Sequence, residues 1–323
     1  MLKNAAGSRP TMPAKRIITI GHAALDFVYR IDAFPARPTK LRAREHITSG
    51  GGMAANAAAA AARLGGDVSL WSRIGSDAAG RLILHECERF GVDTRHVKVH
   101  EGARSATAAV IVDAAGERFI VSEDDHAMPM TADWLPLEEI QDAGVVLSDL
   151  SWLEGTRAAF ETARAAGVPT VVDVDLGSGG LLADLLPLTD YVIASAPAFE
   201  RFVAGAGDDQ RLASLLAAGA RHAGVTRGAE GYTWMTEAQG VVRQPAFPVA
   251  AIDTTGAGDA FHGAFAWALA EGHPDTACAT LASAAAALKC RRLGARQGLP
   301  TLSELEDFLA DRVAVPPALS ARA

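Results

Sequence analysis

Residues 253–261 read Asp253-Thr254-Thr255-Gly256-Ala257-Gly258-Asp259-Ala260-Phe261, and an Ala-rich apolar stretch carrying Phe265, Trp267 and Leu269 runs on to Ala270. That stretch reads as a buried helix, which makes the glycine run the loop at its N-terminus. Gly256, Ala257 and Gly258 carry little or no side chain. Their backbone N–H groups can converge on an anion, where the helix dipole also favours negative charge. Gly-rich loops before helices are common, and Asp in a first turn is a routine complement to the dipole. Asp259 fits that account poorly, because it would repel a bound phosphate unless the chemistry needs a carboxylate base there. The loop is therefore a candidate anion site with Asp259 as its base.

Outward from this loop the chain alternates between short β-branched runs and helical stretches. Residues 16–21 (RIITIG) read as a buried first strand ending in Gly, with Asp26 shortly after. Gly50-Gly51-Gly52 opens an Ala-rich helix over 53–64 with Asn56 in its first turn. Strands are expected at 68–74, 145–147, 170–175, 191–194 and 224–226, and an antiparallel pair at 231–236 and 240–249. Helices are expected at 78–90, 155–166, 199–204, 210–220, 274–289 and 302–313. This order predicts a three-layer α/β/α, Rossmann-like domain on a mostly parallel sheet, with ligands beyond the C-terminal strand ends. Gly21, Asp26, Gly228 and the Gly256 loop are expected there. Two patches, about 28–48 and 105–123, break the alternation. The second reads as a hairpin turning through Asp113-Ala114-Ala115-Gly116-Glu117. Together they predict a small β-sheet lid on a single domain over 15–314, flanked by tails at 1–14 and 315–323.

Composition narrows the partners. A net charge of -8 across 323 residues argues against nucleic acid or an anionic membrane, but not against a small anion held in a local site. No apolar run approaches the roughly 18 residues of a membrane span. The first 14 residues lack the apolar segment of a signal peptide. Cys87, Cys278 and Cys290 are odd in number and lack metal-type spacing, which suits buried thiols in a cytoplasmic protein.

Three segments in order resemble the ribokinase (PfkB) family of carbohydrate kinases, over nearly the whole chain. Gly51-Gly52-Met53-Ala54-Ala55-Asn56 with Ala62-Arg63-Leu64-Gly65 looks like the N-terminal signature. Val225-Thr226-Arg227-Gly228-Ala229-Glu230-Gly231 resembles the nucleotide-binding segment. The 253–261 run with Gly263 is a full match to the C-terminal signature. The resemblance implies a ribokinase-like fold and ATP with Mg²⁺ as cofactors. In it Asp259 takes the proton from a sugar hydroxyl, and the 256–258 backbone stabilises the transferring phosphoryl group. Asp26 would accept hydrogen bonds from two sugar hydroxyls, with Gly51, Gly52 and Asn56 lining the pocket. Thr226, Gly228 and Gly231 would hold ribose and adenine. Asp253 and Thr255, with carbonyls near 289–298, resemble a loop for a monovalent cation such as K⁺. Glu200 stands where the family places a Glu that organises water around Mg²⁺, but Pro197 replaces the Asn expected three residues before it. Either a metal role or a solvated helix-start carboxylate suits Glu200.

The sugar is less legible. Residues 252–263, 286–290 and 145–152 look closest to kinases of six-carbon ketoses, including those of 6-deoxy-6-sulfofructose. Arg118, on the second lid strand, lies where such members also carry an Arg, and is either a surface residue or a contact to sugar or phosphate. A substrate with an anionic tail, such as 6-deoxy-6-sulfofructose, needs a cation at the far end of the pocket. Ser122 and Ser151 are not cationic, and nothing fixes the direction of Lys40, Arg42 or Arg44. A neutral sugar is therefore expected. A nucleoside kinase of the same family is a second reading, although 6% aromatic residues offer few stacking platforms. A dinucleotide oxidoreductase would need Gly-x-Gly-x-x-Gly after the first strand, and Gly21-His22-Ala23-Ala24-Leu25-Asp26 does not supply it. A non-catalytic sugar-binding relative would be expected to lack Asp259 or the loop. Apolar alternation in the lid suggests a homodimer through it.

Overall fold

The computed structural model describes residues 15–124, 127–178 and 182–312, so both expected tails lie outside the described residues. In chain order the elements are β1 (Arg16–Ile20), β2 (Ala24–Arg30), β3 (Glu45–Gly51), α1 (Met53–Arg63), β4 (Val68–Gly75), α2 (Ala78–Arg89) and β5 (Val97–His100). The hairpin β6 (Ala106–Val112) and β7 (Arg118–Glu123) precedes β8 (Ala143–Ser148), α3 (Leu153–Ala166), β9 (Thr170–Val174) and the one-turn α4 (Leu182–Leu185). Then come β10 (Tyr191–Ser195), α5 (Ala196–Phe202), α6 (Asp208–Ala217), β11 (His222–Thr226), β12 (Tyr232–Thr236) and β13 (Gly240–Gln244). Three helices close the described chain, α7 (Ala257–Ala270), α8 (Asp275–Lys289) and α9 (Leu302–Ala310).

The large sheet runs β13-β12-β11-β10-β9-β8-β1-β4-β5. Its strands are parallel except where β12 pairs antiparallel with β11 and with β13. Period-two alternation sends each central strand into two cores. Val145 and Leu147 of β8 join Ile17 beneath α1, α7 and α8. Val146 joins Ile18 and Ile20 beneath α3, α5 and α6. Both faces are covered, which is why these strands read as continuous apolar runs. Among the described residues no helix is long and apolar enough to cross a membrane.

On one side, α1 and α7 cross at very short range. Residues Ala54 to Ala61 of α1 are all buried, and a Cβ at Gly263 of α7 would overlap the Ala57 carbonyl oxygen. Small side chains are what allow the two backbones to meet, and α1 and α7 carry Asn56 and Asp259 respectively.

The second sheet runs β3-β2-β6-β7, with β2 parallel to β6 and the other pairs antiparallel. It has its own small core of Val28, Ala108, Val110 and Val112. Its strands do not follow the bounds expected from sequence. The first begins at Ala24 and the second ends at Gly51, with no strand over 31–44. Asp26 and Gly51 are therefore lid-strand residues, diagonal neighbours in a β2–β3 pair where Asp26 pairs with Ser49 and Gly51 with Ala24, not residues at the tip of β1. The cause is local. Gly21, at φ 142°, turns the chain out of the large sheet directly after β1, and Pro35 and Pro38 keep the intervening segment out of the ladder. β5, a four-residue edge strand, was too short to read from its pattern.

Candidate active site

The glycine loop enters α7 through Gly256 at φ 74°, a left-handed conformation that suits glycine, and a Cβ there would press on Ala295. Ala257 N–H closes a turn onto the Thr254 carbonyl at 3.2 Å. The N–H groups of Gly256, Gly258 and Asp259 donate to no described residue. Those are the orphan donors of a helix start, and Gly258 is open around its missing side chain. The donors offered to an anion are thus 256, 258 and 259, with Ala257 shaping the loop.

Asp259, half-buried in the first turn, accepts a hydrogen bond from Asn56 Nδ2 at 2.7 Å. The amide's orientation follows from its other side. Arg296 Nε donates to Asn56 Oδ1 at 2.8 Å, and a guanidinium only donates, so the amide must turn its NH₂ to the carboxylate. Arg296 is fully buried and also donates to the Gly51 carbonyl at 3.0 Å. Burial lifts the Asp259 carboxyl from 3.8 to about 6, nearby Asp175, Asp149 and Asp26 push the same way, and the Asn56 hydrogen bond holds it back.

Asp26 is 8% exposed, and no described residue hydrogen-bonds to its carboxylate. Burial raises it from 3.8 to about 6, against the pull of Arg296 and His22. A Cβ at Gly51 would overlap this carboxylate, and one at Gly50 would overlap the Arg296 guanidinium. Glycines there give both groups their space. Gly52, at φ 84°, starts α1. Asp26, Gly51, Gly52, Asn56 and Asp259 thus converge, joined by Arg296, which sequence reasoning missed.

Three further carboxylates missed from sequence stand around Asp259. Asp149 is buried after β8 and accepts from the N–H groups of His22 at 2.8 Å and Ala54 at 2.9 Å, fixing the starts of both the lid and α1. Asp173 is pushed far above the ordinary carboxylate range by burial and then by Asp259, Asp175 and Asp149. It lies 3.3 Å from His262 Nδ1, which also faces the Gly258 carbonyl oxygen at 2.8 Å. Asp175 accepts from Ser195 Oγ at 2.8 Å. The signal for them was position, each following or ending a parallel strand at its C-terminal end.

The remaining expected residues lie further out. Thr226 ends β11, its hydroxyl donating to the Ala194 carbonyl at 3.4 Å, and Gly228 and Gly231 both have positive φ in the turn beyond. Nothing surrounds the missing side chain of Gly228, whereas a Cβ at Gly231 would overlap the Gln244 carbonyl oxygen. Glu200 on α5 accepts from Arg227 Nη1 at 3.0 Å and is exposed. Arg118 of β7 donates to the Thr254 hydroxyl, tying the lid hairpin to the segment before the glycine loop. Asp253 Oδ1 accepts from Thr255 N–H at 2.8 Å and Oδ2 from Gly294 N–H at 2.7 Å. The Thr255 hydroxyl is buried without a partner. Lys289 Nζ donates to the Asp253 carbonyl at 2.8 Å. Among the described residues no cluster of His, Cys, Asp or Glu is arranged as a direct metal cage.

The model of the pfkB family carbohydrate kinases matches residues 14–302. An ATP-dependent ribose-1-phosphate kinase of Halopiger xanaduensis is 31% identical over 92% of this chain and 99% of its own length. A ribokinase of Bacillus subtilis is 30% identical over 92% of this chain and 100% of its own. Among solved structures, Arabidopsis thaliana ribokinase complexed with ribose and ATP superposes with a TM-score of 0.79 at 27% identity, covering 92% of this chain and 99% of that one. With its phosphoryl-type loop, its candidate base and a match spanning nearly every element described above, the chain belongs to the pfkB family of carbohydrate kinases.

Proposed function

We propose that this protein uses ATP to phosphorylate a primary hydroxyl of a neutral, ribose-like sugar. The observation that carries the reading is the 2.7 Å contact between Asn56 and Asp259, which joins the pocket helix to the base of the anion loop. Asp26 would accept from two sugar hydroxyls, orienting a third toward Asp259, which takes its proton as the γ-phosphate is attacked in line. The free N–H groups at 256, 258 and 259 would meet the charge on the transferring group. Thr226, Gly228 and Gly231 would border the nucleotide. Mg²⁺ carried on the nucleotide phosphates and water would neutralise charge there, which suits a site without a protein cage. Glu200 would reach water on that ion only by sharing its carboxylate with Arg227.

A neutral sugar is favoured because the cations that could meet an anionic tail are engaged or remote. Arg44 forks onto Asp32, Arg118 holds Thr254, and Lys40 and Arg42 are exposed in the 31–44 loop. Relatives named for ribose and ribose 1-phosphate favour a ribose-type sugar over 6-deoxy-6-sulfofructose, and the ribokinase among them favours the neutral form. A coupled ADP-release screen over ribose, deoxyribose, ribose 1-phosphate, fructose, sulfofructose and nucleosides tests the reading. Ribose or a close neutral analogue is expected to give the highest kcat/KM, and preference for ribose 1-phosphate, sulfofructose or a nucleoside would overturn it. A protein that binds sugar with no turnover of any of them would be a regulatory relative.

The lid supports a homodimer. Every residue of β7 is exposed, and Phe119, Ile120 and Val121 give this edge strand an apolar run that monomers usually blunt. Sedimentation is expected to report a dimer whose population rises with concentration, and a concentration-independent monomer would remove the proposal.

A further inference from the structure

The family resemblance brings a monovalent cation to Asp253, Thr255 and the carbonyls near 289–298, and the contacts made at Asp253 do not fit one. The Asp253 carbonyl oxygen, a candidate ligand for such an ion, already accepts Lys289 Nζ at 2.8 Å. The ammonium also lies 3.9 Å from Asp253 Oδ2. Both carboxylate oxygens are engaged by backbone donors, Thr255 N–H and Gly294 N–H. Lys289 and Asp253 are 0% and 1% exposed, so this cation is sealed from solvent.

We propose that the Lys289 ammonium is a built-in replacement for the monovalent cation, ordering the 253–256 loop and making the protein indifferent to K⁺. An ammonium group and K⁺ are close in size and both prefer carbonyl oxygen. The tether changes the cost of occupancy. A free ion must be drawn from solution and held, whereas Lys289, the last residue of α8, is fixed by its own helix and sits where the dipole favours positive charge. The same contact joins α8 to the segment that turns into the glycine loop. Burial lowers the Lys289 pKa from 10.5, while Asp253, then Cys290 and Asp259, draw it back toward the charged form, an arrangement consistent with an ammonium serving the loop. Lys289 is a positioning residue, since its contact is with the backbone of Asp253 and not with sugar or nucleotide.

The inference rests on the kinase reading, so its test begins with a measurement that needs no turnover. The melting temperature of the wild-type protein with ADP is compared in KCl, NaCl and tetramethylammonium chloride at matched ionic strength. No K⁺-specific shift is expected, and a K⁺-specific rise would overturn the proposal whether or not any sugar is turned over. With the sugar found in the screen, wild-type turnover is expected to agree within about twofold across the three salts. Stimulation by K⁺ of more than about fivefold would overturn it. Lys289→Met is expected to lose turnover by about tenfold or more in tetramethylammonium and to recover part of it in K⁺, with a K⁺-specific rise in melting temperature. A folded variant that K⁺ neither rescues nor stabilises, or one as active as wild type without K⁺, would overturn the assignment. If the variant does not fold, the two wild-type comparisons decide alone.

Discussion

Asp259→Asn is expected to lower turnover by about 10²–10⁴-fold while leaving the fold and nucleotide affinity nearly unchanged. Asn keeps the shape of the side chain and can still face Asn56, but it cannot accept the proton of the attacking hydroxyl. Single-turnover kinetics with the best sugar, alongside ADP binding by calorimetry, checks both halves. Near-normal turnover would take Asp259 out of the chemistry. The pH profile adds an independent reading. The base works only when ionised, and burial places its midpoint at about 6, so kcat/KM should rise with pH through that value. Asp26 has its own midpoint at about 6 and must also be ionised to accept two hydroxyls. The acid limb should therefore be steeper than one proton in the wild type.

Asp26→Asn is expected to cut kcat/KM for the sugar by about 10²–10³-fold, because an amide offers one acceptor where the carboxylate offers two charged ones. KM for ATP should not move, and the acid limb should return to a single proton. The same substitution should stabilise the empty protein. The folded-state midpoint of Asp26, about 6, lies above the value of 3.8 in the unfolded chain, so the native state holds the proton more tightly. Ionisation therefore costs stability. The cost is absent below about pH 4, grows between about 4 and 6, and is complete above 6, where it reaches about 3 kcal/mol. Removing the charge should raise the melting temperature at neutral pH by ~2–6 °C, readable by calorimetry without any ligand. A variant with wild-type sugar kinetics would show that this carboxylate serves the lid alone.

The alternation of strands and helices was legible because strands buried on both faces are apolar throughout and helices buried on one face are not. The glycine loop was legible because Gly256 and Gly258 sit between two aspartates in front of an unbroken apolar helix. Asn56 was placed by its motif, but its contact with Asp259 joins residues 203 apart, and only the fold brings them together. Arg296 and Lys289 were invisible for a different reason. Both lie in a charged stretch, Lys289-Cys290-Arg291-Arg292 and onward, whose sequence does not separate buried cations from solvated ones, and Arg296 reaches a partner 240 residues upstream. Buried cations look like surface cations until their acceptors are known. The lid bounds shifted because alternation alone does not separate a strand leaving one sheet from a strand entering another. Gly21 is where that happens.

The close crossing of α1 and α7 has a consequence for how sugar preference can be changed by selection. Its spacing is set by Ala57 and Gly263 main chain against main chain, so a larger residue at either crossing point pushes apart the helices that carry Asn56 and Asp259. That floor tolerates almost no variation in volume. Of the lid strands above it, β7 is exposed at every residue, so it can accept new shapes at little structural expense. Libraries built to redirect this protein toward other sugars should therefore diversify β7 and leave the helix pair, Asp26, Gly50 and Gly51 untouched.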